Sequence, residues 1–171
     1  MPDLEREAGV ALGDASQWSA DVRAGIACHR AADVAFHDLP VFRSQSGALT
    51  HALLAADVPR GAARAIGHAG WELLFDGALL GDATLVDAYF AALRVPVADP
   101  EWSAALARRA DRGTPSYYAD PVSVTELLWR ILSRRRLLAF DRACCDPVTE
   151  CLRAAQPAIA ASVDEVFAAL R

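Results

Sequence analysis

The sequence predicts an all-α protein: a compact multi-helix bundle forming a single domain over residues 1–171. Three observations predict it. Alanine supplies 37 of the 171 residues, which lowers the entropic cost of helix formation. Apolar residues recur at spacings of three and four, as in Val124, Leu127, Leu128, Ile131, Leu132 and then Leu138, a broad stripe on one helical face. Runs of β-branched and aromatic residues are short and rare, which argues against strands. The chain is 54% hydrophobic and 23% charged, a composition that suits a folded chain with a substantial core rather than a disordered one.

The punctuation places the elements. One helix is expected from about Gln17 to Asp38, with Trp18, Val22, Ile26, Cys28 and Phe36 as its bulky residues, stopped or bent at Pro40. A second spans roughly Phe42 to Ala56. Asp57-Val58-Pro59 reads as a cap and a proline start for a helix reaching about Leu80. Gly81-Asp82 breaks the chain, and Asp82 caps a helix ending near Arg94. Val95 to Pro100 is a connector, and Glu101 to Arg112 a short helix. Residues 113–119 form a loop at the rim of a site. Asp120 or Ser123 caps the next helix, about four turns long, with Pro121 in its first turn. Asp146-Pro147 and Gln156-Pro157 break the remainder, leaving a final amphipathic helix with Ile159, Val163, Val166, Phe167 and Leu170. The sum is about seven to nine helices.

Composition excludes several functions. The 17 basic residues are all Arg, and with 22 acidic residues the net charge is −5. Lysine Schiff-base or lysine general-base chemistry is therefore excluded. Nucleic-acid binding over the whole surface is disfavoured, although a local anion site remains open. No apolar run approaches the ~18 residues of a membrane span, and Met1–Glu7 lacks the basic and apolar regions of a secretory signal, so a cytoplasmic location is expected. Cys28, Cys144, Cys145 and Cys151 contain no CxxC unit, which points to reduced thiols rather than a thiolate zinc site.

The histidines carry the chemical signal. His29, Asp33 and His37 follow one another at intervals of four on one helix; His68, Glu72 and Asp76 do so on another. A step of four keeps a ladder on one side of a helix, drifting about 80° over eight residues. Two such helices facing each other present nitrogen and oxygen ligands to an internal ion, as helical bundles do. The flanking residues, Ile26, Val34 and Phe36 on one side and Ile66, Trp71, Leu74 and Phe75 on the other, are core types. Carboxylates among them need a cation or a metal. Gly61, Gly67 and Gly70 weaken the second helix, which is explained if a neighbouring helix approaches closely. The plain alternative is that both ladders are exposed pairs that support their own helices. His51 belongs to neither ladder and reads as a surface residue.

These residues also carry a resemblance. Asp21–Phe42, with its Asp-Val and Gly-Ile lead-in, then His29-Arg30, Asp33 and Pro40, resembles the acyl-carrier-protein phosphodiesterase family, helical hydrolases often compared with HD-domain metalloenzymes. His37 stands where that family has an aspartate, with Asp38 beside it. Glu72–Leu79 is similar to a second family block, Glu72 and Asp76 matching conservatively and Gly77 replacing a histidine. Leu12-Gly13-Asp14 resembles the end of the family's N-terminal block, whose upstream Asn-Phe-Leu-Ala-His segment has no match in this sequence. The resemblance covers roughly residues 10–80 and implies an HD-like fold and hydrolysis of the phosphodiester between a serine and phosphopantetheine, with an acyl carrier protein or a small phosphoester as partner.

Such hydrolysis needs an activated water and cations beside the developing oxygen charge, which divalent ions supply. The expected ligands are His29, Asp33, His68 and Asp76, with Asp14, His37 and Glu72 next; Asp14 or Glu72 alternatively serves as general base. Imidazole with carboxylate favours Mn or Fe, with Zn or Mg also admissible. Arg30 and Arg64 are placed to orient a phosphate, or else pair with carboxylates or face solvent. The run Arg130, Arg134, Arg135 and Arg136, near Arg142, is a candidate dock for an acidic carrier protein or anionic substrate; its bland reading is a solvated face. Two other functions stay open. One is a non-hydrolytic iron metalloenzyme, and the other a metal-free helical binding or scaffold protein, with homodimerisation undecided.

Overall fold

A computed structural model describes residues 19–97, 99–113 and 115–170. Among the described residues there are eight α-helices and two short 3₁₀ turns, and no β-strand. In order they are α1 (Ala20–Asp38), α2 (Pro40–Ala55), α3 (Arg60–Leu79), α4 (Ala83–Leu93), α5 (Pro100–Asp111), the turn Ser116–Ala119, α6 (Pro121–Leu132), the turn Arg142–Cys144, α7 (Cys145–Ala161) and α8 (Val163–Leu170). No helix is long and apolar enough to cross a membrane among the described residues.

Aspartate caps set several starts. Asp82 accepts from the Thr84 and Leu85 amides at α4, and Asp99 from Glu101 and Trp102 at α5. Asp120 accepts from the Val122 and Ser123 amides and from the Ser123 hydroxyl at α6, ahead of Pro121 in the first turn. Three sequence expectations are corrected. Asp57 is no cap: it turns the chain at a positive φ of 58°, and α3 starts after Pro59 without a side-chain cap. The apolar stripe of α6 ends with the helix at Leu132, so Leu138 reaches the core from a turn. Pro157 does not break the chain; α7 continues through it to Ala161 because Ile159, only 1% exposed, is anchored in the core beyond it. That packing outweighs the lost ladder bond.

The chain divides into two compact units. In the first, made by the described residues up to Asp33 with Asp82–Pro115, α4 packs against α5. The second comprises Val34–Gly81 and Ser116–Arg171. There α3 is central, touching α2, α6, α7, α8 and the Ser116–Ala119 turn. Its buried side chains Ile66, Trp71, Leu74 and Phe75 join Leu53 of α2, Val124 and Leu128 of α6, Val148 and Leu152 of α7 and Val166 of α8. One polar chain crosses this core: the Thr149 hydroxyl donates to Thr125 Oγ1 at 2.9 Å, and Thr125 donates to the Pro121 carbonyl at 2.8 Å.

Close approach accounts for the glycines of α3, as two positions illustrate. A Cβ on Gly67 would stand 2.0 Å from Thr50 Oγ1 of α2, and one on Gly77 would stand 2.3 Å from the Tyr118 carbonyl oxygen. The tight passage expected from Gly67 is therefore present, and Gly77, where the resembled family has histidine, has no room for a side chain. Gly77→Ala should cost about 1–3 kcal/mol in urea unfolding. Gly47→Ala, whose methyl meets nothing within 4 Å, should stabilise by about 0.5–1 kcal/mol.

The Asp120 cap has a pH signature. The hydrogen bond from the Ser123 hydroxyl, aided by the Ser123 and Val122 amides, holds its carboxyl below the usual carboxylate value. A lowered folded-state pKa stabilises above the unfolded value, and this stabilisation is lost as pH falls through the lowered one. Asp120→Ala should therefore cost about 0.5–2 kcal/mol near neutral pH. In denaturation curves taken at successively lower pH, its difference from the parent chain should shrink through the acid range.

Candidate metal centre

The second unit brings three of the predicted residues together. His37 lies at the end of α1, where the helix stops at Asp38 and Pro40 starts α2. His68 and Glu72 sit one turn apart on α3. His37 Nε2 lies 2.8 Å and His68 Nε2 3.2 Å from the same atom, Glu72 Oε1. A carboxylate only accepts, so His37 donates its Nε2–H to that oxygen, while His68 lies within ion-pair range of it. The two rings stack, with centroids 4.9 Å apart and planes 7° from parallel.

Aromatic residues fix this pair. Phe42, buried at the start of α2, meets His37 edge-on at 5.1 Å and His68 edge-on at 5.2 Å. The close passage at Gly67 is what allows α2 to bring that ring to His68. Phe36 packs against His37, Phe42, Trp71 and Phe75. Trp71 stacks on Phe75, and its Nε1–H donates to Gln45 Oε1 at 3.0 Å. Gln45 in turn donates to the Ala158 carbonyl of α7. Each well-placed aromatic contact contributes roughly 0.5–1.5 kcal/mol beyond area burial. The floor of the centre is thereby tied to the core, while its polar side opens to solvent: side-chain exposure is 29% for His37, 34% for Glu72 and 53% for His68.

The donor set suits a divalent ion. Two imidazoles and a carboxylate offer ligand atoms all within 4.8 Å of one another. Metal bonds of about 2.1 Å require neighbouring donors to stand about 3.0–3.4 Å apart, and the two nitrogen–oxygen separations, 2.8 and 3.2 Å, lie close to that range. Imidazole lone pairs lie in the ring planes, so stacked parallel rings do not aim at one point. Joint ligation requires one ring to turn, and His68, the more exposed, has the room. An ion held by these three side chains alone would keep further coordination positions open.

The other described residues of the predicted site do not join this donor set. His29 and Asp33 are exposed on α1, two turns and one turn before His37, and both belong to the first unit. Asp76 is exposed on α3, one turn beyond Glu72. Arg30 and Arg64 are exposed, Arg64 one turn before His68. Asp14 lies outside the described residues. His51 is exposed on α2, as expected. Sequence reasoning missed Phe42 and Gln45, although an aromatic two residues after a helix-starting proline was a visible signal for the first. No protein-family model, no curated protein and no solved structure matches the chain.

No cysteine joins this donor set among the described residues. Cys28 is exposed and Cys145 buried. Burial pushes the Cys145 and Cys151 thiols above their usual value, which withholds the reactive thiolate. Mass spectrometry after brief iodoacetamide treatment of the folded chain should find Cys28 modified first, Cys151 more slowly, and Cys145 only after unfolding.

Proposed function

We propose that this protein is a divalent-metal-dependent phosphoester hydrolase whose ion is held by His37, His68 and Glu72. The observation that carries the reading is the convergence of both Nε2 atoms on one carboxylate oxygen, a mixed imidazole–carboxylate set that favours Mn or Fe over Mg, with Zn also admissible. A bound ion would supply a polarised phosphoryl oxygen and a water of lowered pKa. The chain's own part is to hold the ligand side chains through Phe42 and the core beneath, and to keep one side of the centre open. Arg64, one turn from His68, supplies a planar donor fork for an anionic substrate. The resemblance of Asp21–Phe42 and Glu72–Leu79 to the acyl-carrier-protein phosphodiesterases supports a phosphopantetheine-type diester as substrate.

A second reading is favoured by one feature. His37 already donates to Glu72, and His68 stacks on His37 within ion-pair range of the same oxygen, as a metal-free binding protein would keep them. The test separates the two. The chain purified without chelator should bind Mn²⁺ or Zn²⁺ at one site per chain in calorimetry, and His37→Ala, His68→Ala and Glu72→Gln should each weaken it by at least the roughly 10–100-fold that loss of a residue supporting a ligand costs. His29→Ala should not. The loaded protein should release phosphopantetheine from holo acyl carrier protein with Mn²⁺ present. Failure to bind any of these ions selects the metal-free reading, whereas binding without hydrolysis of this or a simple aryl phosphodiester selects other metal chemistry.

A further inference from the structure

Beyond α6 the chain makes a turn that carries Arg134, Arg135 and Arg136 in succession, all exposed. Among the described residues none of the three enters an ion pair. Arg142, which the sequence groups with them, is committed instead: its guanidinium pairs with both oxygens of Glu126 and lies over the Trp129 ring at 4.5 Å. Three exposed cations thus stand side by side in the turn, on a chain whose net charge is −5.

The turn is held in place. Leu132 before it and Phe140 after it are buried. The Leu138 and Ala139 amides donate to the Arg135 carbonyl at 2.8 and 2.9 Å. The Leu137 carbonyl presses on α3 so closely that a Cβ on Gly61 would stand 2.1 Å from its oxygen. Yet the Leu137 side chain is 84% exposed, and Ile131 on the last turn of α6 is 45% exposed. An anchored backbone therefore displays three cations around an apolar side chain.

Its position on α3 matters. At about 100° per residue, Gly61, Arg64 and His68 fall within about 60° of one another around the helix, and Gly61 precedes His68 by about 10 Å along it. The arginine turn overlooks the N-terminal end of the α3 face that carries His68 and Glu72, with exposed Arg64 between.

We infer that this turn is a docking surface for an acidic protein, one whose contact segment sets carboxylates around an apolar side chain. Charge complementarity selects the partner: three arginines match carboxylates, and Leu137 with Ile131 supplies the dry contact that a protein surface answers. A nucleic acid would be expected to find stacking aromatics, and the nearby Trp129 is already covered by Arg142. One leucine and three arginines fall short of a stable bilayer anchor. What the docked partner presents to the metal centre rests on the hydrolase reading; docking itself does not.

The probe is apo acyl carrier protein, an acidic helical protein that lacks the phosphodiester, so that binding is read without hydrolysis. Biolayer interferometry at low salt should show binding to the full chain that weakens as NaCl is raised. The triple variant Arg134→Ser, Arg135→Ser, Arg136→Ser should lose at least about tenfold in affinity, and Leu137→Ser about threefold or more. Both should unfold at the parent temperature. His68→Ala, and addition of EDTA, should leave binding unchanged. The inference is overturned by absence of binding, by full binding in the triple variant, or by tighter binding to phosphatidylserine vesicles or a single-stranded oligonucleotide. In each case the metal-centre tests remain standing on their own.

Discussion

The second unit depends on how closely its neighbours approach α3. That helix is wrapped by α2, α6, α7, α8 and the Ser116–Ala119 turn, and its most buried positions include residues with almost no side chain to interpose. The intrinsic cost of glycine in a helix, about 1 kcal/mol each, is offset by backbone-to-backbone distances that a methyl group would forbid. Phe42 can touch both His37 and His68 only because α2 lies that near. Packing in the core and geometry at the surface are therefore one constraint seen from two sides.

The centre is built from unequal parts. Its lower edge is rigid and apolar, with Trp71 wholly buried and Phe42 and Phe75 nearly so. Its upper edge is polar and partly open. Ligand side chains with one firm and one free neighbour can hold position and still rotate, which an ion entering between two stacked imidazoles would require. The carboxylate desolvation that the sequence suggests as a driving force is milder than a core location implies, since Glu72 keeps about a third of its surface in water.

Much of this was legible from the chain. Proline and aspartate punctuation located α4, α5 and α6 closely, because a capping carboxylate acts on amides two and three residues away and needs no tertiary partner. The ladder His68, Glu72 and Asp76 pointed to the right face of α3. What sequence could not decide was which rung of each ladder meets its counterpart. A spacing of four keeps residues on one side but says nothing about where along the helix the neighbour crosses. His37, rather than His29, meets Glu72 because α1 ends there and α2 turns back at Pro40. Pro157 misled for a similar reason: local propensity marks it as a break, and only the burial of Ile159 beyond it keeps the helix going.

The Thr125–Thr149 hydrogen bond has a consequence out of proportion to its strength. The facing surfaces of α6 and α7 are otherwise mainly aliphatic, and aliphatic contacts tolerate sliding. Shifting α7 by a single residue would swing the Thr149 hydroxyl about 100° around its axis and take it from the Thr125 oxygen that accepts from it, while Thr125 keeps its own bond to Pro121. One pair of hydroxyls thus acts as a key in a smooth lock, singling out one alignment among several that oily side chains alone would accept.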